Sequence, residues 1–243
     1  MGYAIQWVRS LLFTVQMYVM MALMGIGCAP IVLLHRKFAY RVVRGYSKWV
    51  MWTAGWMIGL KTEVRGTVPD REILVGAKHQ SFLDILMITS VTPKPKFIMK
   101  ASLRWAPVLG WYGKWLACIP VNRGRRAEAI KSMMEQVKSG KMPGGQLIIY
   151  PQGTRVAPGV KTPYKVGISV IYEETGQECL PVACNVGVFW PRIGIYKKPG
   201  TAVVEFLPII PAGLKRDEFL KTLEQRVEAR SNELMLDAGF DPN

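Results

Sequence analysis

One histidine and one aspartate lie close enough in the sequence to form a proton-transfer pair. The segment Lys-His-Gln-Ser-Phe-Leu-Asp occupies residues 78–84, and its histidine is one of only two in the chain. Five steps overshoot the positions that face each other on a regular helix, so the chain must bend between the two residues. In such a bend Asp84 can bond one imidazole nitrogen of His79, fix its tautomer and leave the other nitrogen free to accept a proton.

The flanking residues predict a strand, a turn and a helix. Ile73-Leu74-Val75 is a short apolar run typical of a buried strand, and Phe82, Ile85 and Leu86 have helical spacing. A competing interpretation needs no chemistry. In it, the Ser81 side chain accepts an amide hydrogen bond at the start of the helix, and Asp84 complements the positive helix end.

A second cluster follows another apolar run. Residues 119–124 read Ile-Pro-Val-Asn-Arg-Gly, and Arg125 and Arg126 come next. An arginine that leaves the end of a strand can place two donors on one phosphate. The alternative is a solvated charge run that opens a helix. Positive charges at a helix N-terminus are unfavourable unless an anion joins them, which favours Arg123 as a phosphate ligand.

The third cluster is Tyr-Pro-Gln-Gly-Thr-Arg at residues 150–155. Gly153 permits a tight turn with exposed amides, and Arg155 supplies positive charge, so this loop can cradle an anion. Taken alone, the same residues form an ordinary turn, and the motif is too short to decide between the two.

Strand and helix patterns alternate after residue 62. Strand candidates are Ile73–Val75, Phe97–Met99, Cys118–Val121, Leu147–Tyr150, Leu180–Cys184 and Ala202–Leu207. Helical periodicity covers Ala127–Lys138 and Arg216–Leu236, and Pro158, Gly159 and Pro163 mark a loop. This order predicts an α/β fold with a largely parallel sheet flanked by helices. The predicted organisation is N-terminal membrane-associated helices over residues 1–62 and an α/β domain over residues 63–243.

The composition indicates an anionic partner. The chain has 243 residues with 32 Lys or Arg and 17 Asp or Glu, a formal net charge of +15. Nucleic acid, an anionic membrane surface and a phosphorylated substrate are the candidates. The sequence shows no nucleic-acid-reading motif and no metal-ligand spacing. Its four cysteines lack paired spacing, which is typical of reduced, buried thiols.

The N-terminus predicts contact with a membrane. Residues 11–34 carry no charged side chain, and such a run is long enough to cross a hydrocarbon layer of about 30 Å. Gly25, Gly27 and Pro30 interrupt its second half, so a kinked, half-inserted segment is equally consistent with the sequence. If the segment spans, the positive charge that follows it places the rest of the chain in the cytoplasm.

A basic amphipathic helix is expected next, up to Leu60. Lys37, Arg41, Arg44 and Lys48 recur at helical spacing, and tryptophans fall on other faces. This pattern suits anionic lipid head groups and the lipid interface. A solvated basic helix on an ordinary domain is the alternative.

Taken together and in order, these blocks resemble those of the glycerolipid acyltransferase family. They are the His-x4-Asp box, Arg123 at a strand end, the Tyr-Pro-x-Gly-Thr-Arg loop and Leu180-Pro181-Val182. The resemblance covers the chain from about residue 63 to the C-terminus, and the N-terminal helices are similar to the membrane-docking helices of that family.

The resemblance implies a role for each matching position. His79 would be the general base that deprotonates the acceptor hydroxyl, and Asp84 would orient it. The acceptor phosphate would be bound by Arg123, Gly153, Thr154, Arg155 and, as a weaker match, Lys100. Pro181 would belong to the acyl-donor side. One departure is Gln152, where the family usually has Glu. Since the amide keeps hydrogen-bonding capacity, we expect Gln152→Glu to retain activity.

The implied reaction transfers an acyl chain from acyl carrier protein or coenzyme A to the sn-2 hydroxyl of lysophosphatidic acid, giving phosphatidic acid. It needs no acyl-enzyme and no cofactor beyond the thioester. The resemblance places the enzyme at the cytoplasmic face of the bacterial inner membrane. Two alternatives stay open: an acyltransferase for another lysolipid, such as a lyso-aminolipid, and a non-catalytic basic lipid-binding module.

Overall fold

The computed structural model describes residues 2–122, residue 135 and residues 144–242. Helices α1 to α7 of the described part span, in chain order, Tyr3–Gly27, Ala29–Leu34, Phe38–Ile58, Leu83–Val91, Leu109–Trp115, Gly167–Thr175 and Arg216–Asp237. Strands β1 to β7 span Leu60–Arg65, Ile73–Ala77, Pro95–Lys100, Ile119–Val121, Gln146–Ile149, Cys179–Cys184 and Gly200–Phe206. Two short 3-10 helices cover Ala101–Trp105 and Val186–Val188.

The strands form one sheet in the order β1-β7-β6-β2-β5-β3-β4. All neighbouring pairs are parallel except β6 and β7. The carboxyl ends of β2, β3, β4, β5 and β6 therefore lie at one edge of the sheet, where α/β folds place their ligands. The predicted largely parallel α/β sheet is confirmed.

Strand β2 lies in the middle of this sheet and is buried along its whole length. Ile73 and Val75 pack into a core shared with α3 and α4, whereas Leu74 packs into a core shared with α6 and α7. A side chain at Gly76 would meet both methyl groups of Leu223 at 2.9 Å, so glycine lets α7 approach the sheet closely. The continuous apolar run is needed because helices cover both faces.

The N-terminal segment is a helical hairpin. Gln6 on α1 donates to the carbonyl oxygen of Ile58 at 3.0 Å, and the Tyr46 hydroxyl on α3 donates to the carbonyl oxygen of Met17 at 3.3 Å. The start of α1 thus meets the end of α3, and the two helices run antiparallel. The predicted interruption lies at Cys28, where α1 ends and Pro30 occupies the first turn of α2.

Helix α1 is apolar on its outer face, and the face that meets the protein buries both polar residues and the apolar Phe13 and Met17. Gln6 and Ser10 are buried, and the Ser10 hydroxyl accepts the backbone N–H of Lys197 at 3.0 Å. The outer face is a continuous stripe of large apolar side chains, each at least 50% exposed: Ile5, Val8, Leu12, Val15, Val19, Leu23 and Ile26. A soluble amphipathic helix has a polar outer face, so the apolar outer face of α1 suits contact with lipid.

The sequence predicted most elements and missed some. The six strand candidates and the helix over Arg216–Leu236 are confirmed within a few residues. The expected helix up to Leu60 was too long, because Gly59 adopts φ 70° and ends α3 at Ile58. Leu60 instead opens β1, whose alternation of Leu60, Thr62 and Val64 was not recognised. The predicted helix over residues 127–138 lies outside the described residues, apart from residue 135.

Candidate active site

His79 and Asp84 meet in the turn between β2 and α4. The Nδ1 atom of His79 lies 2.8 Å from Oδ1 of Asp84. The other carboxylate oxygen, Oδ2, accepts the backbone N–H groups of Gln80 at 2.9 Å and Ser81 at 2.8 Å. One carboxylate therefore holds the imidazole and two backbone N–H groups of the turn, and the Ser81 hydroxyl accepts the N–H of Leu83, the first residue of α4, at 3.3 Å. These contacts fit both interpretations of the segment, and the proton-transfer role stays a prediction.

The imidazole is held on several sides. The His79 ring stacks on Tyr150 with ring centroids 3.9 Å apart, and the His79 carbonyl oxygen accepts the backbone N–H of Val156 at 2.8 Å. Asp84 is fully buried, and His79 is 8% exposed. With the proton of the neutral ring assigned to Nδ1 by the Asp84 bond, Nε2 is left as a proton acceptor.

Two other ionisable groups stay neutral beside the pair of His79 and Asp84, called the dyad below. Burial and the nearby Asp84 carboxylate raise the pKa of Tyr150 well above its usual range. The same two causes raise the pKa of the Cys184 thiol, whose Sγ lies 3.8 Å from the carbonyl oxygen of Lys78. A buried, protonated thiol is a poor nucleophile. The role of His79 as the base of this site stays a prediction.

A second polar network lies on the α7 side of the same turn. Lys78 is 3% exposed, and its Nζ lies 2.5 Å from Oε2 of Glu228. The other oxygen of Glu228 accepts the Tyr164 hydroxyl at 2.9 Å and lies 3.5 Å from Nε2 of Gln152. Gln152 thus brings an uncharged donor to a carboxylate that already neutralises Lys78.

Gln80 connects the dyad to the strand on the other side of β2. Its side chain is fully buried, and its Oε1 accepts the backbone N–H of Gly187 at 3.0 Å. Its Nε2 lies 3.4 Å from the sulfur of Met235 on α7. These contacts hold the turn against both α7 and the segment after β6.

The loop after β5 carries positive charge beside the dyad. Gly153 adopts φ 71°, and a side chain there would lie 2.6 Å from Nζ of Lys165, so only glycine suits this position. Arg155 Nη1 lies 3.3 Å from the carbonyl oxygen of Arg192, and Arg192 Nη1 lies 3.2 Å from that of Arg155. The loop thus gathers three cations within its contacts.

The remaining site predictions have different outcomes. Lys100 ends β3 at the same sheet edge and is exposed, and Thr154 lies in the loop beside Gly153. Pro181 is buried within β6 opposite Gly76, which gives it a packing role, and its place on the acyl-donor side stays a prediction. Arg123 lies outside the described residues.

Comparison with known proteins identifies the family. A family model described as Acyltransferase matches residues 61–185, and the chain belongs to this family. The 1-acyl-sn-glycerol-3-phosphate acyltransferase of Pseudomonas aeruginosa is 28% identical over 85% of this chain and 81% of its own length. An enzyme described by the same name in Saccharomyces cerevisiae is 26% identical over 76% of this chain and 63% of its own length.

A solved structure has the same fold. The crystal structure of the 1-acyl-sn-glycerophosphate acyltransferase of Thermotoga maritima superposes with a TM-score of 0.79 at 24% identity, covering 94% of this chain and 97% of that one. The resemblance to glycerolipid acyltransferases that the sequence motifs suggested is confirmed.

Sequence reasoning missed Lys78, Tyr164, Glu228 and Arg192. Lys78 adjoins His79, but a lysine at the end of a strand carries no signal of its own. Glu228 follows Val227 on an amphipathic helix, where an acidic residue is typical of a solvated face. Only the packing of α7 on the sheet brings this carboxylate to Lys78.

Proposed function

We propose that this protein transfers an acyl chain from an acyl thioester to the sn-2 hydroxyl of lysophosphatidic acid and releases phosphatidic acid. The single observation that carries the proposal is the 2.8 Å contact between His79 Nδ1 and Asp84 Oδ1. It lies beside a loop whose cations have no carboxylate partner among the described residues. The names of the relatives support the same reaction.

In this reaction Nε2 of His79 takes the proton of the acceptor hydroxyl while the oxygen attacks the thioester carbonyl. Asp84 stabilises the imidazolium that forms, because its carboxylate accepts the Nδ1 hydrogen. The tetrahedral intermediate then expels the thiolate, which takes the proton back from Nε2. Every proton is accounted for, and the steps require neither an acyl-enzyme nor a cofactor.

We further propose acyl carrier protein or coenzyme A as the donor. Both are acidic, so the net charge of +15 favours their approach. A zwitterionic or neutral acceptor is disfavoured, because the cations beside the dyad match a phosphate monoester better.

The hairpin supports association with an anionic membrane surface. Helix α1 alone among the described helices is long and apolar enough to cross a bilayer, but it packs antiparallel on α3. Arg41 and Lys48 on α3 are exposed, and Arg44 donates to the carbonyl oxygens of Thr92 and Pro93 at 3.0 and 3.1 Å. If the hairpin crossed the bilayer, the charged side chains of α3 would have to lie in the hydrocarbon layer. We therefore propose that the hairpin inserts into one leaflet, at the cytoplasmic face.

The test is acyl transfer to lysophosphatidic acid in vesicles, with acyl carrier protein and coenzyme A thioesters offered separately. Wild type is expected to turn over with at least one donor, and His79→Ala to be inactive while still binding the vesicles. Lysophosphatidylcholine and monoacylglycerol serve as control acceptors. Equal rates with all three acceptors would exclude phosphate recognition, and absence of turnover in folded wild type would overturn the proposal.

A further inference from the structure

Three cationic side chains surround the loop after β5. Lys165 passes over Gly153, and Arg155 and Arg192 each donate to the carbonyl oxygen of the other. No carboxylate among the described residues forms an ion pair with any of the three. Other arginines of the chain are paired: Arg230, for example, bonds both Glu205 and Glu233. Within the described part of the chain, the cluster thus holds three positive charges with no carboxylate counterion.

Toward the described part of the chain, Arg155 and Arg192 leave most of their donors unused. A guanidinium has five N–H groups, and each of these side chains uses one on a backbone carbonyl. Those bonds fix the planar groups near one another, which reduces the entropy lost when an anion binds. Arg192 and Lys165 are exposed and Arg155 is partly exposed, so a solvent-borne or lipid-borne anion can reach them.

The segment that carries Arg192 packs against the turn that carries His79. Trp190, two residues earlier, is 5% exposed and packs edge-on against Phe82 with ring centroids 6.4 Å apart. Phe82 lies in the turn that carries His79. From the other side, Val156 next to Arg155 donates to the His79 carbonyl oxygen at 2.8 Å. Both arginines are therefore tied to the residue that would act on the acceptor hydroxyl.

We propose that Arg192 is a substrate-binding residue that, together with Arg155, binds the phosphate monoester of the acceptor. The inference rests on the proposed function, since the acceptor phosphate must lie within a glycerol backbone of the hydroxyl that reacts. Two guanidinium groups match the dianionic charge of a phosphate monoester, and a phosphodiester head group carries one charge fewer. Arg192 thus contributes to selection of the acceptor.

The kinetic test compares wild type with Arg192→Gln and Arg192→Lys in vesicles, varying each substrate separately. Arg192→Gln is expected to raise the KM for lysophosphatidic acid about 10- to 100-fold, as for loss of a charged hydrogen bond, with kcat and the KM for the thioester little changed. For Arg192→Lys, the KM for lysophosphatidic acid should lie between the values of wild type and Arg192→Gln, since lysine keeps the charge but lacks the planar guanidinium group. Arg226→Gln on α7 is the matched control, because this exposed side chain donates to the Pro208 carbonyl oxygen and forms no ion pair among the described residues. An unchanged acceptor KM, or a rise in the thioester KM alone, overturns the proposal.

A second experiment measures lipid binding and does not depend on turnover. In a His79→Ala background, affinity for lysophosphatidic acid and for monoacylglycerol is measured with and without Arg192→Gln. Loss of affinity for the phosphorylated lipid alone supports the role of Arg192, even if wild type proves inactive and the proposed reaction fails. Equal loss for both lipids, or no loss, rejects that role even if the reaction is confirmed.

Discussion

Lys78, the residue directly before His79, is joined to Glu228 by a 2.5 Å contact between Nζ and Oε2 across 150 positions of sequence. This pair explains the glutamine at position 152. The carboxylate that neutralises the buried lysine comes from helix α7, and Gln152 adds a neutral donor 3.5 Å from its other oxygen.

The pair changes the expectation that Gln152→Glu retains activity. A carboxylate at position 152 would face Glu228, in a region where burial and the charge of Glu228 already raise the pKa of Glu224. We expect Gln152→Glu to lose about tenfold or more in kcat/KM, equivalent to roughly 1.4 kcal/mol. Steady-state acyl transfer measures this loss.

The double variant Gln152→Glu/Glu228→Gln is the matched control. The double variant has one carboxylate in the network, as wild type does, so it is expected to recover most of the activity. Glu228→Gln alone leaves Lys78 buried without a counter-charge, and we expect it to lose about 2–3 kcal/mol of stability. A double variant weaker than both single variants would contradict the exchange of charge between these positions.

The dyad gives a second prediction. Asp84→Asn cannot stabilise the imidazolium of His79, so kcat is expected to fall by about 10²- to 10⁴-fold. Ser81→Ala should leave kcat within a few-fold, because the Ser81 hydroxyl only accepts the backbone N–H of Leu83 at 3.3 Å. Parallel assays of both variants, with vesicle binding as the folding control, separate base catalysis from a serine nucleophile. A large loss in Ser81→Ala would point to covalent catalysis instead.

Lys197 gives a prediction about pH. Its side chain is 2% exposed, its Nζ donates to the Thr14 hydroxyl at 2.8 Å, and burial lowers its pKa from 10.5 to about 8. Between these two pKa values the unfolded chain binds more protons than the native state. The free energy of unfolding should therefore rise as pH increases from about 8 to about 10.5.

Denaturant unfolding in a non-ionic detergent across this pH window tests the prediction. Lys197→Met should remove the part of the pH dependence that Lys197 causes, because methionine has no proton to release. The remaining groups are common to both proteins, so the difference between the two curves isolates Lys197. Parallel curves over the whole window would show that the lysine keeps its ordinary pKa.

A surface next to the hairpin predicts a second contact with lipid. Trp105 is 76% exposed and Trp111 is 46% exposed, and Arg104 lies over the Trp105 ring at 4.6 Å. The Tyr112 hydroxyl in the same segment donates to the carbonyl oxygen of Gly25 on α1 at 3.2 Å. The two tryptophans therefore lie beside the apolar end of α1, where interfacial aromatic residues stabilise membrane contact.

Replacing both tryptophans by alanine is expected to weaken partitioning into anionic vesicles by roughly tenfold. Sedimentation with vesicles of defined anionic content measures the change. Leu236→Ala is the control, because this side chain is 52% exposed on α7, across the sheet from the hairpin. Equal partitioning of the double variant and wild type would confine membrane contact to the hairpin.

Local features of this protein were readable from its sequence. The bond between His79 and Asp84 is made within one turn, by residues five positions apart, so their spacing and the adjacent apolar run were sufficient to predict it. The strands of the central sheet, apart from β1, followed from runs of three to six residues for the same reason. Strand β1 was missed because its polar and apolar residues alternate immediately after a long amphipathic helix.

Only the tertiary structure decided what surrounds the dyad. Glu228 reaches Lys78 because α7 packs on the sheet beside Gly76, and Arg192 reaches Arg155 because Trp190 fixes its segment against Phe82. Likewise, Gln6 and Ser10 can lie on the buried face of α1 because the protein supplies their hydrogen-bond partners, the Ile58 carbonyl oxygen and the Lys197 N–H. Sequence periodicity shows which residues of one helix or strand share a face. It does not show that Arg155 meets Arg192, 37 positions away, or that Lys78 meets Glu228, 150 positions away, because sheet order and close packing decide these contacts.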